Sequence, residues 1–249
     1  MKKAFLIKTI IIAAAAFVAA VAAIAGLFYF GVLHFNNPSA KVYPVRGVDS
    51  SSYQGEINWQ TLAKEGIDFA YVKATEGSTY VDSCFEYNLE NALKTDLYIG
   101  AYHFFSFESS GSAQAAHFIA TVPLNDGMLP PVVDLEFYGD YENHAPSKEA
   151  VTAELNDMLE RLAKHYNKKP LIYVTKESYE LYISGGFAEY DIWFRNVTGK
   201  PKLNDGREWT LWQYSNRHRL KAYSGSEPYI DFNVFNGNIA DFKKVFNLQ

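Results

Sequence analysis

Asp134 and Glu136 stand two positions apart in the largely apolar stretch PPVVDLEFYG, residues 130–139. Two positions is the side-chain repeat of a β-strand, so the two carboxyls share one face while Val133, Leu135 and Phe137 share the other. Asp49 closes another apolar start, RGVD, and Asp231 lies within YIDFNV. Carboxyls gathered in a water-poor mouth cannot all ionise cheaply, so at least one pKa must rise. That is the requirement for a general acid near neutral pH. An acid holding its proton beside an ionised partner suits cleavage of a glycosidic bond, in which one group protonates the leaving oxygen and the other stabilises or attacks the cationic centre. The plain alternative is that these are loop-edge or barrel-lining acids making structural hydrogen bonds.

The elements that must position these acids are short, β-branched or aromatic runs bounded by turn residues. Eight are strand candidates: 46–51, 69–75, 98–105, 131–136, 170–175, 191–196, 209–215 and 229–234. The first four gaps carry helical patterns at 58–66, 82–95, 111–122 and 147–166, the last opened by Ser147 with Glu149 and Glu154 behind it. Crossovers of that length imply parallel pairing. The last three gaps hold turn residues (Gly185-Gly186, Asn204-Asp205-Gly206, Gly225) and no long amphipathic repeat. The expected fold is therefore α/β, an irregular TIM-like (β/α)5(β)3 barrel whose final strands are open to antiparallel pairing; a doubly wound open sheet is the alternative. In a closed barrel the first and last strands are neighbours, so Asp49 and Asp231 converge, and the C-terminal strand ends carry the site.

The chain has 249 residues and a formal net charge of −5. This balance leaves no basic footprint for nucleic acid. Lys2, Lys3 and Lys8 precede an apolar run, and no Asp, Glu, Lys or Arg follows until Lys41. The run from Ile10 to Leu33 is long enough to cross a bilayer, which takes about 20 residues, and exceeds the about 7–15 of a secretory core. The organisation expected is a basic cytoplasmic end (1–8), a signal-anchor or signal peptide (9–35), a polar linker (36–45) and one domain (46–249). That domain lies on the extracytoplasmic side of the membrane, or is secreted if the segment is cleaved after Ala23-Ile24-Ala25. Cys84 is the sole cysteine, so no internal disulfide forms; its place beside Phe85 in a helical stretch reads as buried.

No histidine pair has metal-ligand spacing, and no G-x-S-x-G or phosphate-cradling glycine loop occurs. No cofactor is implied. Trp209 and Trp212 in WTLWQYS read as core or, for one of them, as a sugar contact.

The blocks GVDSSSYQGEINW, FAYVKATEGSTYVD, GAYHFF, PVVDLE, LIYVT, WTLWQYS and IDFNVFNG, in this order and spacing over about residues 46 to 240, resemble glycoside hydrolase family 25, the Chalaropsis-type lysozymes or N-acetylmuramidases. The resemblance implies a barrel of five β/α units with three further strands. It also implies hydrolysis of the β-1,4 bond between N-acetylmuramic acid and N-acetylglucosamine in peptidoglycan, by a catalytic domain expected to be monomeric. Carried over to this sequence, Glu136 is the general acid, and Asp134 orients and stabilises the reacting 2-acetamido group if that group is the internal nucleophile. Asp49 stands with them as a catalytic acid and Asp231 as an auxiliary one, both shaping charge and hydrogen bonding. Tyr102, Tyr173, Trp193 and Gln213 match groove-lining positions. Two departures stand out: Ser50 replaces an aliphatic residue, and IWFRNV places Arg195 where a small Ala is common and Val197 where a Tyr is common. Arg195 reads as binding a substrate carboxylate or as pairing with one of the acids. The alternatives are a non-catalytic glycan-binding protein of the same fold and a chitinase-like hydrolase.

Overall fold

The computed structural model describes residues 2–34 and 36–248. It divides into two compact units, residues 1–35 and 36–249. In the first, α1 (Lys2–Tyr29) is a helix of 28 residues without an acidic side chain. Its stretch Phe5–Tyr29 has mean hydropathy 2.7 and no buried residue. At 1.5 Å per residue, 25 residues span roughly 37 Å, enough for a bilayer core.

The second unit is a closed barrel. Eight strands follow around it: β1 (Arg46–Ser50), β2 (Phe69–Glu76), β4 (Tyr98–Phe104), β5 (Val132–Leu135), β6 (Leu171–Val174), β7 (Asp191–Arg195), β8 (Leu211–His218) and β9 (Ile230–Phe235), with β3 (Tyr80–Val81) added as a hairpin on β2. β1 pairs with β2 on one side and β9 on the other, which closes the ring. Pairing is parallel from β1 through β2 and β4 to β8, and antiparallel at β8–β9 and β9–β1. Within the ring, antiparallel pairing is thus confined to the partners of the last strand, and outside it to the β2–β3 hairpin. The connections into β7 and β8 run parallel without long helices: the first uses α6 (Lys176–Ser178) and a π-helical turn (Tyr179–Ile183), the second a loop that buries Leu203 and Trp209.

Helices α2 (Trp59–Leu62), α3 (Phe85–Ala92), α4 (Gly111–Thr121) and α5 (Lys148–Tyr166) cover the early crossovers. The N-cap hydroxyls of Ser110 and Ser147 accept from the amides of Ala113 and Ala150 and satisfy donors the first turns leave open. Strand alternation separates two cores. Outward side chains such as Val72, Val133, Leu135, Ile172 and Val174 pack under the helices. Inward Phe69, Tyr71, Val132, Leu171, Trp193, Leu211 and Phe235 fill the barrel. A helix not anticipated from sequence, α7 (Ile239–Val245), plugs its base: Phe242 lies 5.3 Å from Phe69 and 5.2 Å from Phe235, ring centre to ring centre. Large rings fit inside because β1 and β4 carry glycines there. A Cβ on Gly47 would enter the Phe69 ring, and one on Gly100 the Tyr71 ring.

The segment 36–45, expected to be a linker, packs on the barrel instead. Tyr43 is buried against Trp209 and Trp212, at 5.6 and 6.0 Å, and Arg46 donates to the Pro38 carbonyl at 2.5 Å. Its composition is polar and Val42 stays exposed, but Tyr43 and Val45 are both buried in core. Trp209 and Trp212 are accordingly core residues.

Helices α4 and α5 are in close contact at Gly111, where a Cβ would overlap the carbonyl oxygen of Glu154; the Gly111 amide also donates to the Glu154 carboxylate at 2.7 Å. Backbone cannot yield as a flexible side chain does. Gly111→Ala is expected to lower stability by about 3 kcal/mol, read from urea unfolding; an unchanged midpoint would mean that the two helices separate freely.

Candidate active site

The C-terminal ends of the strands open into a cleft of about 490 Å³, continued inward by a narrow cavity of about 90 Å³. Asp49, Asp134, Glu136 and Asp231 line both. Asp134 ends the inward set of β5 and Glu136 follows just past it, while Val133 and Leu135 are buried outward, as the two-residue spacing requires. Asp49 and Asp231 are direct partners in the β1–β9 register. The four acids expected from sequence therefore meet in one place.

Asp49 is the best-supported anion. Gln213 Nε2 donates to its two oxygens at 3.1 and 3.3 Å, and Asn233 Nδ2 donates at 2.6 Å. Burial pushes its pKa up, and these donors together with a hydrogen bond from Asp231 oppose the rise. Asp231 is driven well above the ordinary carboxylate range by burial and then by the Asp49 charge, so the proton shared by this pair resides on Asp231. Asp134 is also raised well above that range, by burial first and the neighbouring Glu136 charge second. Its Oδ1 is buried without a hydrogen-bond partner. Glu136 is only half-buried, and its pKa is raised, chiefly by burial, with Arg195 the leading opposing charge. The four acids titrate as a set and not as isolated groups.

Tyr173 donates its hydroxyl to Gln213 Oε1 at 3.0 Å, and Trp193 donates its indole N–H to Asn233 Oδ1 at 2.8 Å. Tyr173 and Trp193 thus orient the two amides that hold Asp49. Trp193 is only 1% exposed and lies at the floor of the inner cavity, so its ring offers no open groove face. Tyr102 is half-buried on the wall, and the exposed aromatic ring at the rim is Tyr53. Arg195 lines the outer cleft, opposite Gln213 in the β7–β8 register.

Sequence reasoning missed Asn233 and Lys73. Asn233 lies two residues beyond Asp231, hence on the same face of β9; Lys73 lies two beyond Tyr71 on the inward face of β2. Lys73 pairs with Glu76 at 2.8 Å, sits 4.9 Å from the Phe104 ring centre, and is the leading positive charge acting on Asp134. Cys84 is half-exposed at the N-cap of α3, because the helix begins one residue after it and its side chain stays outside the packed face. Among the described residues no group of three or more His, Cys, Asp or Glu is arranged to hold a metal ion.

The sequence model described as Glycosyl hydrolases family 25 matches residues 48–223. A solved structure of a family 25 glycosyl hydrolase from Bacillus anthracis is 48% identical with a TM-score of 0.81, the match covering 86% of this chain and 98% of that one. Lysozyme M1 of Streptomyces globisporus is 33% identical over 213 residues, 79% of this chain and 69% of its own length. The N,O-diacetylmuramidase of Chalaropsis sp is 30% identical over 218 residues, 81% of this chain and 98% of its own.

Proposed function

This chain belongs to glycosyl hydrolase family 25, and from that premise we propose that it is a muramidase that cuts peptidoglycan between N-acetylmuramic acid and N-acetylglucosamine. The observation that carries the reading is the placement of Asp134 and Glu136 together in an open cleft of about 490 Å³, with Asp49 and Asp231 beside them.

Glu136 is the general acid. Its raised pKa keeps a proton available, and its half-exposed position lets it reach the oxygen between two sugars. As that oxygen takes the proton, its bond to C1 of the muramic acid breaks and positive charge develops at C1 and the ring oxygen. Asp134 manages that charge, holding the 2-acetamido N–H so that the acetamide oxygen closes on C1, and water then opens the intermediate. The reactive form has the proton on Glu136 and the charge on Asp134. At rest the order is the reverse, because Asp134 is raised further and the Glu136 charge helps to raise it; Lys73, the leading positive charge on Asp134, opposes that rise. Asp49, fixed by Gln213 and Asn233, sets the field in which both acids titrate.

The test uses the full chain in detergent with purified peptidoglycan, and with chitin oligomers in parallel. Borohydride reduction and mass spectrometry of the fragments should find N-acetylmuramic acid at every new reducing end. New N-acetylglucosamine ends, or cleavage of chitin alone, would make the protein a different hydrolase. Binding without cleavage would make it a glycan-binding module.

The basic residues before Phe5 and the 25-residue span support retention of α1 as a signal-anchor, with the barrel outside the cytoplasm. Membrane-fraction protein whose N-terminus reads from the first residues bears this out; a mature chain starting near Gly26 would make the enzyme a secreted one.

A further inference from the structure

Of the six arginines in the sequence, Arg195 alone has, among the described residues, a side chain with no hydrogen bond, ion pair or ring contact. Arg161 and Arg207 pair with Asp157 and Asp205, Arg46 binds the Pro38 carbonyl, and Arg217 and Arg219 lie over the Tyr229 ring. Arg195 stands half-buried on the wall of a cleft holding four carboxyls, yet none comes within salt-bridge distance of it. Lys73 is the other cation lining that cleft and is committed to Glu76.

A cleft lined with acids repels an anionic substrate unless a cation with spare donors offsets them. Resting on the muramidase reading, we propose that Arg195 is a specificity-determining residue that binds a substrate carboxylate, either that of the lactyl ether on the muramic acid or a free one on the attached stem peptide. A planar guanidinium with its donors open suits a carboxylate better than an ammonium does. The position agrees: Arg195 is the leading positive charge acting on Glu136, and the lactyl ether hangs from the same sugar ring whose C1 bond Glu136 opens. If the lactyl carboxylate is the ligand, the substrate must first be stripped of its peptide, which places an amide-hydrolysing reaction upstream of this one.

The experiment compares kcat/KM of the full chain, Arg195→Ala and Arg195→Lys on three purified glycans: stem-free strands with the lactyl carboxylate free, the same strands with it amidated, and strands bearing stem peptides with free carboxylates. Arg195→Ala should lose about 10- to 100-fold on a carboxylate-bearing glycan relative to the amidated one, mostly in KM. Arg195→Lys should recover only part of that. Loss confined to the stem-free strands identifies the lactyl group; loss confined to the peptide-bearing strands identifies the stem. An equal loss on all three glycans, with a displaced pH profile, would mean that Arg195 only balances the acids, and would overturn the proposal. If the unmutated chain cleaves none of them, the muramidase reading falls, and this inference with it.

Discussion

Glu136→Gln is expected to lower turnover of peptidoglycan by about 10²- to 10⁴-fold while leaving the chain folded and still retained by insoluble wall. The amide keeps the size of the acid and its ability to hydrogen-bond a sugar hydroxyl, but has no proton to give the departing oxygen. Glu136 lies beyond the end of β5 and is half-exposed, so the exchange disturbs no packed core. The sharper readout is leaving-group dependence. An aryl glycoside with an acidic phenol departs without protonation, so the variant should recover most of its rate there. The rival acid is Asp134, whose pKa is raised further. If Glu136→Gln retained near-normal turnover on the natural glycan and Asp134→Asn did not, the roles of the two carboxyls would have to be exchanged.

The barrel was legible because its evidence is local. Each of the eight strands is a short run with turn residues at its ends, and the first four gaps have helical periodicity. Closure follows once the first and last strands are adjacent, and with it the meeting of Asp49 and Asp231. α7 escaped notice because seven residues show little periodicity. Its signals were the N-cap Asn238 with Asp241 three residues on, and Phe242 and Phe246 four apart. The parallel direction of β7 and β8 was hidden for a different reason: helical crossovers were the mark of parallel pairing, and here irregular loops make the same journey, held by buried side chains such as Leu203 and Trp209.

The acids of the site were legible one by one; their environment was not. Which cation answers which acid depends on contacts across the ring, such as Lys73 on β2 acting on Asp134 on β5. The two amides on Asp49 come from β8 and β9, and their orientation is fixed by Tyr173 on β6 and Trp193 on β7. Spacing along the chain says nothing of such partners. The same limit explains Trp193, which reads as a groove aromatic in one dimension and lies in the floor in three.

Asp134→Asn is expected to abolish most activity and to stabilise the fold by an amount that grows with pH. The Asp134 pKa in the folded protein is well above its ordinary value, because burial and the Glu136 charge disfavour ionisation there. Below about pH 4 the carboxyl is protonated in both folded and unfolded chains, and it contributes no penalty. As pH rises, the unfolded chain releases the proton freely and the folded chain does not, so stability is lost until the folded pKa is passed. Each unit of elevation corresponds to about 1.4 kcal/mol. Asparagine does not titrate and so lacks this loss. His103, buried between Thr75 and Gln114 with its pKa lowered to about 4, destabilises the fold on acidification, but does so in both proteins and cancels in the difference. Melting temperatures of the two proteins should nearly coincide at about pH 4 and separate progressively towards about pH 8. Parallel melting curves across that range would show that Asp134 ionises as easily in the cleft as in the unfolded chain, and the acid set would then hold no strain for catalysis to use.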